Sequence, residues 1–481
     1  MELYNIGMDV HSKNTVFVAG RSAGEHLVRG KVETTPEGMK KMVRKLKNKI
    51  PQGERYRVVV GMESGSSTYR VARILRHIGV EVRVFHAREV RDLVAKKKQK
   101  TDKRDAEVIY REMFGEHFVQ FSYIPGTDHE AMVRTLISRR EGYVSDRSRA
   151  IVKTKALLRQ WGLLRDSGRT LTSETGWEKL LEDLRGMDEE SWQAVAGWDV
   201  GLDILEDIIG MTEKSFESWK AAKANIDDCE ARIKDIIREM DEKGEDLGDG
   251  NERQKKRQKY MEELKKEISM EKEGPPKEEE KKLNIAERID MVDKMTGIGW
   301  LSAMKIVFLI GDPGRFRKSG AVKSYFGLIP SEYSSGGMSR KGHLTKSGNQ
   351  IGRTTLIQIA KQASRVNHPL HPMYARLKHK RRANIAAIAV ASRLVRIIWS
   401  MLRYGTEFDP MRLHIFLVNK PVKGKESENG KIKTKLVAVE EKDLLTFMRT
   451  NELGPEALES PEARKYYEAM VKTNKYKEVR H

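Results

Sequence analysis

The chain has 481 residues and a formal net charge of +21, from 91 lysines and arginines against 70 aspartates and glutamates. That excess favours a polyanionic partner, most simply nucleic acid. The one cysteine, Cys229, excludes an internal disulfide framework and suits a reducing cytosol.

Residues 1–125 alternate strand and helix signals. The strand segments are LYNIGMDV, NTVFVAG and EHLVRGKVE, then RYRVVVGMES, then VEVRVFHA. Helical segments follow the third, fourth and fifth of these strands. Three strands, helix, strand, helix, strand, helix is the order of a ribonuclease H-like domain, so we predict an α/β fold here.

Four acidic residues occupy comparable places in these elements. Asp9 interrupts the first apolar strand, where an unpaired charge is costly, and Glu63 ends the fourth strand. Asp102 and Asp105 are three residues apart on the following helix, so they share a face. Each acid alone is ordinarily a surface or capping carboxylate. Four acids from three elements at one edge of a sheet predict a shared site.

The chemistry of such a site follows from charge repulsion. Two like charges about 4 Å apart repel by roughly 4 kcal/mol at an effective dielectric of ~20, so converging carboxylates must protonate or bind cations. Carboxylate oxygens suit Mg2+ or Mn2+, and a pair of such ions can stabilise both oxygens of a phosphodiester displacement. We therefore predict a metal site. His11 lacks the His/Cys spacing that would indicate zinc.

Basic residues surround the Asp102/Asp105 pair. A solvated helix with mixed charges is the plainer interpretation of this pattern. Because the acids alone would repel a polyanion, we prefer the interpretation that the bases hold a nucleic-acid backbone. They are Lys96, Lys97, Lys98, Lys100, Lys103 and Arg104.

Residues 126–290 are predicted to form a helical arm. A seam of apolar residues has the a/d spacing typical of a coiled coil. It consists of Trp219, Ala222, Ile226, Cys229, Ile233, Ile236 and Met240. Cys229 is therefore expected to be a packed thiol. Charged, Gly/Pro-containing segments within 241–283 are predicted to be mobile connections around a returning helix with Met261, Leu264 and Ile268.

Residues 291–405 are predicted to form a mostly helical domain. Two glycines flank Ile298 in MTGIGWLSAMKIV, as in helix-hairpin-helix elements; a phosphate contact and a plain tight turn both stay open. Lys341, His343, Lys346 and Arg353 follow a serine-containing loop. We interpret them as phosphate contacts in preference to an exposed basic surface.

Residues 406–481 are a basic extension with no readable motif. The longest apolar stretch, IAAIAVASRLVRIIW, carries Arg393 and Arg396 and is too interrupted to span a bilayer. A core helix with a basic outer side is the expectation. The N-terminal MELYNIGMDV has no basic segment followed by an apolar one, so we expect no signal peptide and a cytoplasmic location.

Several motifs together resemble a known family. GMDVHSK, VGMESG and KTDKRDAE, with TGIGWLSA and FGLIPSEYSSGG…GHLTKSGN, resemble the DEDD transposases of the insertion-sequence "one-ten" family. The resemblance covers the N-terminal domain, the arm and roughly residues 290–405. It implies a RuvC-like domain with an acidic tetrad and a separate C-terminal domain with a serine nucleophile. It also implies a prokaryotic, nucleoid-associated protein guided by a non-coding bridge RNA that pairs with target and donor DNA.

Carried over by position, the family tetrad is Asp9, Glu63, Asp102 and Asp105, with Mg2+ or Mn2+. The family serine precedes a glycine in the loop after GL-x-P, which selects Ser335 with Ser334 as its neighbour. The resemblance implies that the metal site polarises a phosphate of double-stranded donor or target DNA while Ser335 attacks it. A transient phosphoserine link would conserve the bond energy for strand exchange in a dimer or tetramer.

Two other functions fit parts of the same pattern. A RuvC-like junction resolvase or nuclease would use the tetrad with water as the nucleophile. A non-catalytic RNA-binding scaffold would need only the positive charge. The charged segment at 241–283 and the extension beyond residue 405 look longer than a minimal family member needs, so the way in which the arm assembles subunits stays open.

Overall fold

The computed structural model describes residues 2–85, 87, 90, 102–114, 123–163, 171–197, 200–248, 283–316, 318–335, 338–344, 348–426 and 432–478. Contacts divide the chain into two compact units. The first unit comprises Met1–Ala131, Glu245–Lys282 and Ile310–Lys318; the second comprises Met132–Gly244, Leu283–Leu309 and Ser319–His481. The division into four segments at residues 125, 290 and 405 stays a prediction.

Some predicted features lie outside the described residues. They are the returning helix with Met261, Leu264 and Ile268, and the basic residues Lys96, Lys97, Lys98, Lys100 and Lys346.

The first unit is built on a five-stranded mixed sheet. Its strands are β1 (Glu2–Val10), β2 (Asn14–Gly20), β3 (Val28–Glu33), β4 (Tyr56–Glu63) and β5 (Glu81–Phe85). They lie in the order β3-β2-β1-β4-β5, with β1, β4 and β5 parallel and β2 antiparallel to both of its neighbours. The helices are α1 (Pro36–Lys47), α2 (Thr68–His77) and α3 (Asp102–Glu112). The predicted α/β order of elements is confirmed.

The sheet buries both of its faces. On one face, Ile6, Met8 and Met62 pack with apolar residues of α1 and α2 in the main core of this unit. The opposite face carries Val18 and Val59, which pack against buried residues of α3. The sequence of a strand that is covered on both faces is a nearly continuous run of apolar residues. This explains why β1 and β4 are almost uninterrupted apolar segments until their acidic residues.

The first part of the second unit is a helical arm. Its helices are α4 (Asp128–Gln160), α5 (Glu174–Arg185), α6 (Glu189–Ala196) and the 41-residue α7 (Leu202–Glu242). All seven residues of the predicted seam are buried on α7, and Cys229 is a buried free thiol, as predicted. The seam packs in part on an aromatic cluster, in which the Trp177 and Phe216 rings stack 5.5 Å apart. That the arm is a coiled coil stays a prediction.

The rest of the second unit is mostly helical, as predicted, with two hairpins. The helices are α8 (Ile285–Asp293), α9 (Trp300–Ile310), α10 (Ser319–Tyr325), α11 (Gln350–Lys361), α12 (His371–Lys380) and α13 (Ala383–Tyr404). Strands β6 (Pro330–Ser335) and β7 (Met338–Leu344) form an antiparallel hairpin between α10 and α11.

The extension beyond residue 405, which showed no readable motif, has a core of its own. Strands β8 (Ile415–Glu426) and β9 (Ile432–Glu440) pair, and helices α14 (Glu441–Thr450) and α15 (Pro461–Glu478) follow. Phe416, Leu444 and Leu458 are buried together in this core. The Ala438 amide of β9 donates to the Val366 carbonyl at 2.8 Å, so the extension is joined to the preceding part of the unit through its backbone.

One described helix, α13, is long and apolar enough to pass a membrane-span test by length and composition. More than half of its apolar window is buried inside the protein. The core helix of a folded protein can be equally long and apolar. The packing of α13 against α11 and α12 agrees with the predicted core helix.

Candidate active site

Asp9 and Glu63 end neighbouring parallel strands at the same level. Gly7 pairs with Gly61 and Met8 with Met62, so Asp9 and Glu63 are the next two positions in this register. Laterally paired residues of a parallel ladder share a face, and neighbouring strands lie roughly 4.8 Å apart. Asp9 and Glu63 therefore lie next to each other on one face, and both are half-buried.

Two glycines bring α3 onto this face. A Cβ atom added to Gly7 would lie 2.3 Å from the backbone nitrogen of Tyr110, and one added to Gly61 would lie 2.5 Å from the Met113 sulfur. Gly7 and Gly61 are two residues before Asp9 and Glu63 and share their face. The helix that begins at Asp102 thus packs on the sheet face that carries the two strand acids.

The predicted acid pair lies at the start of this helix. Positions 102 and 105 precede the buried residues Ala106 and Ile109 by four residues, which places both on the side of α3 that faces the sheet. Asp105 is half-buried, whereas the Asp102 side chain is outside the described set. Among the described side chains, no group of three or more His, Cys, Asp or Glu residues could hold a metal ion. The four-carboxylate metal site stays a prediction.

His11 is a neighbour of the acids whose role the sequence did not indicate. Its Nε2 lies 3.1 Å from Oδ2 of Asp9, and the His11 side chain is 49% exposed while that of Asp9 is 15% exposed. The imidazole can therefore donate a hydrogen bond to a carboxylate at the end of β1 and still face solvent. Zinc-type His/Cys spacing carries no information about a hydrogen bond between near neighbours at the end of a strand.

The predicted serines occupy the tip of the β6–β7 hairpin. Ser335 is the last residue of β6 and pairs with Met338, and Ser334 pairs with Ser339. The side chains of Ser334, Ser335 and Lys341 are outside the described set. The serines belong to the second unit and the acids to the first.

The remaining predicted nucleic-acid contacts differ in exposure. Lys103, Arg104 and His343 are exposed. Arg353 is half-buried, and its Nη1 donates to the Phe326 carbonyl at 3.5 Å, so part of its guanidinium serves local structure. Phosphate contact by these side chains stays a prediction.

The TGIG segment forms a tight turn between α8 and α9. Gly297 has a φ of +85°, a conformation that favours glycine. A Cβ there would lie 3.2 Å from Cδ2 of His368, a buried residue whose Nδ1 accepts from the Leu370 amide at 3.0 Å. Burial, together with the smaller effect of nearby His371, lowers the pKa of His368 to about 4. This imidazole is neutral at neutral pH and supports the turn without offering charge to a phosphate.

Comparison with known proteins identifies two family regions in the chain. Residues 6–162 match a DEDD transposase model of the IS110 type, described as "Transposase", and residues 290–375 match "Transposase IS116/IS110/IS902 family". The two regions together cover about half of the sequence. They contain, in order, the acids on the sheet and the hairpin with the serines.

Curated relatives carry matching names. A "Probable family 20 transposase" of Pseudomonas aeruginosa is 32% identical over 127 residues, 26% of this chain and 38% of the relative. The transposase for insertion sequence element IS1111A of Coxiella burnetii is 31% identical over 115 residues, 23% of this chain and 32% of the relative. The transposase for IS1328 of Yersinia enterocolitica is 29% identical over 120 residues, 23% of this chain and 35% of the relative. The chain thus spans about a third of the length of these relatives.

The sheet with its acids and the two matched regions define the class of protein, the insertion-sequence transposases. Within that class, the chain belongs to the IS110 family.

Proposed function

We propose that this protein is a metal-dependent DNA transposase that moves an insertion sequence through a covalent serine–DNA intermediate, guided by RNA. The observation that carries the proposal is the adjacency of Asp9 and Glu63 on the sheet face covered by the helix of Asp102 and Asp105. The strand order β3-β2-β1-β4-β5, with β2 antiparallel, supports a ribonuclease H-like, RuvC-like domain. In such a domain this end of the sheet is the catalytic end.

The donor set fits a divalent metal in chemistry and in backbone position. Asp9, Glu63, Asp102 and Asp105 offer only carboxylate oxygens, which suit Mg2+ or Mn2+ better than softer metals. When bound, the metal supplies charge stabilisation at the oxygens of a phosphodiester undergoing displacement. His11 can orient the Asp9 carboxylate by donating a hydrogen bond to Oδ2.

Ser335 is the proposed nucleophile, with Ser334 as its neighbour. Its Oγ attacks the phosphorus of a DNA phosphodiester, and the bond from phosphorus to one deoxyribose oxygen breaks as the Oγ–P bond forms. The serine proton passes to solvent or a base, and the leaving oxygen takes up a proton. A hydroxyl of another strand can reverse the step, so the phosphodiester is conserved.

The guide RNA and the subunit arrangement are further parts of the proposal. The net charge of +21 suits a protein that binds two kinds of nucleic acid at once. The tetrad and the serine belong to different compact units, which is compatible with a dimer or tetramer whose subunits share active sites. Sequencing RNA that co-purifies with the protein tests the guide; recovery of no discrete species would remove this part alone.

Substitution of Ser335 by alanine tests the nucleophile. The purified full-length protein is incubated with Mg2+, the co-purified RNA and DNA carrying the element ends, then denatured and separated to detect DNA attached to protein. We expect wild type to give the adduct and Ser335→Ala to give none. Ser334→Ala, the matched control, should retain the adduct.

Two further reactions separate the alternatives. Asp9→Asn should give neither adduct nor cleavage, because it removes a proposed metal ligand. Wild type with EDTA should also give neither, because EDTA removes the metal. If Ser335→Ala loses the adduct but still cuts DNA, water is the nucleophile and the protein is a RuvC-like nuclease. If wild type gives neither adduct nor cleavage and Asp9→Asn binds nucleic acid as wild type does, the protein is a binding scaffold and the proposed chemistry is wrong.

A further inference from the structure

A large open groove lies at the base of the β6–β7 hairpin, within the second unit. Its volume is about 1020 Å3, at the upper end of the range for small-ligand pockets. Its lining includes one side of α13, the hairpin base at Pro330 and Leu344, and the extension at Leu413 and Ile415. We call it the basic groove.

The floor of the basic groove is apolar. Ile385, Ile388 and Ala389 line it from α13, at the spacing that puts residues on one side of a helix. Ile385 is 44% exposed, so the apolar floor is open to a ligand. Flat apolar groups of a ligand would find their contacts here.

The rim of the groove is cationic. Lys323, Arg381, Arg393 and Arg396 line it, as do Glu440 and Glu441, which are paired with Arg376 and His414. Among the described residues, no carboxylate lies within 4.0 Å of the charged groups of Lys323, Arg381 or Arg393, whereas Arg376 is neutralised by Glu440 at 2.9 Å. Three cations thus stay available for an anionic ligand, and charge complementarity selects a polyanion.

We propose that the basic groove binds an unpaired stretch of the DNA strand that is cut at the serine hairpin. Bases of an unpaired strand can lie on the apolar floor while the rim cations hold its phosphates. A duplex offers mainly phosphates to a surface of this size and would leave the floor uncovered. The inference rests on the proposed function, because that function makes the strand at the hairpin a DNA strand.

The hairpin relates the groove to the reaction. Pro330 at its base lines the groove, and Ser335 at its tip is five strand residues away. At about 3.3 Å per residue this separation is roughly 17 Å. A strand in the groove is therefore held several nucleotides from the attacked phosphate, so the groove binds substrate and takes no part in the chemical step.

The extension supplies one wall of the groove. The matched family region ends at residue 375, whereas Ile385 on the floor, Arg393 on the rim and Ile415 on the far wall all lie beyond it. Without β8 and β9 the groove would have no far wall. The proposal therefore assigns a role to the extension as part of a DNA-binding site.

Fluorescence anisotropy with the full-length protein tests binding. The probes are a labelled single-stranded DNA oligonucleotide, the same sequence as a duplex, and the same sequence as RNA. For Arg381→Gln/Arg393→Gln we expect affinity for single-stranded DNA to fall about tenfold at ~0.1 M salt, with a salt slope lower by about 1.4 units. Ile385→Asn should weaken the same probe without changing the salt slope, because it removes base contacts only.

The matched control is Lys378→Gln/Lys380→Gln, which removes two exposed cations from α12 that do not line the groove. It should change single-strand affinity less than twofold by comparison with wild type. An equal loss in this control, or losses for duplex or RNA as large as for single-stranded DNA, would overturn the proposal.

A crosslinking experiment places the strand independently of affinity. Photoreactive thymidine analogues a few nucleotides from the cut position are incorporated into element-end DNA, and crosslinked peptides are identified by mass spectrometry. We expect peptides containing Ile385 or Arg393; crosslinks confined to other surfaces would contradict the proposal. If wild type forms no adduct at Ser335 but still binds single-stranded DNA in the groove, only the serine mechanism is refuted. Failure of the groove proposal and failure of the proposed function are therefore distinguishable.

Discussion

At the scale of single residues, two glycines control what lies over the strand acids. Gly7 and Gly61 pair across β1 and β4, and α3 occupies the space where their side chains would be. Glycine in a strand interior often marks such a close approach of another element. The positions of Asp102 and Asp105 over the sheet therefore depend on two residues that carry no chemistry.

Gly7→Ala tests this dependence. The new Cβ would lie 2.3 Å from the backbone of Tyr110, so α3 must shift away from the sheet. We expect the free energy of unfolding of the first unit to fall by about 1–3 kcal/mol, the usual cost of overpacking, and DNA cleavage to be lost. Urea unfolding and the adduct assay measure the two effects. Gly24→Ala, where no atom lies within 4 Å of the new Cβ, is the control; an equal effect there would contradict the prediction.

Sequence reasoning singled out Asp9 and Glu63 as candidate site acids because each breaks a pattern. Asp9 interrupts an apolar strand and Glu63 ends one, and both signals are local. The need for glycine at positions 7 and 61 is set by a helix about fifty to a hundred residues further on, so no local pattern reveals it. The contact between His11 and Asp9 likewise depends on how the chain turns between β1 and β2.

At the scale of elements, heptad spacing predicted the buried seam of α7, because residues on one side of a helix recur at a regular spacing in the sequence. The same reasoning did not detect a buried charge on α9. Lys305 is 7% exposed and forms an ion pair with Glu141 of α4, which Arg140 also contacts at 2.9 Å. Burial alone raises the pKa of Glu141, but its hydrogen bonds with Lys305 and Arg140 outweigh burial and hold that pKa below its usual value.

Lys305→Met tests whether this pair joins α9 to α4. Removing one partner leaves Glu141 half-buried with a single cation, so we expect the second unit to lose about 2–4 kcal/mol of unfolding free energy. The Lys305→Met/Glu141→Leu double variant should recover part of the loss, since neither charge is then left unpaired. Lys214→Met, on the exposed side of α7, should change stability by less than about 0.5 kcal/mol. Denaturant unfolding followed by tryptophan fluorescence measures all three.

At the scale of the whole molecule, the two units have separate cores and unequal spectroscopic reporters. All seven tryptophans fall in the residue ranges of the second unit: Trp161, Trp177, Trp192, Trp198, Trp219, Trp300 and Trp399. Tryptophan fluorescence therefore reports on the second unit alone, whereas far-ultraviolet circular dichroism reports on both.

We predict that unfolding curves from these two probes do not coincide. Separate cores allow more than one transition, and different probes then follow different steps. Gly7→Ala should shift the circular dichroism curve to lower urea and leave the fluorescence midpoint unchanged. A common shift in both curves would show that the units unfold as one and would contradict the prediction.

The organisation of the chain was only partly predictable at this scale. The first sheet and the arm follow from periodicity, but the extension beyond residue 405 gave no motif, although it folds around Phe416, Leu444 and Leu458. Its strands pair with an irregular register between Pro421 and Glu426. The apolar residues of these strands also pack against helices that follow later in the chain. Neither the irregular register nor this packing gives a regular pattern in the local sequence.

The backbone hydrogen bond from Ala438 to Val366 has a practical consequence for anyone who shortens this protein. A version that stops after α13 would look complete by comparison with the matched family regions, which end at residue 375. It would nevertheless leave the Val366 carbonyl without its donor and remove Leu413 and Ile415, which line one wall of the basic groove. A shortened variant would therefore need a substitute donor for that carbonyl.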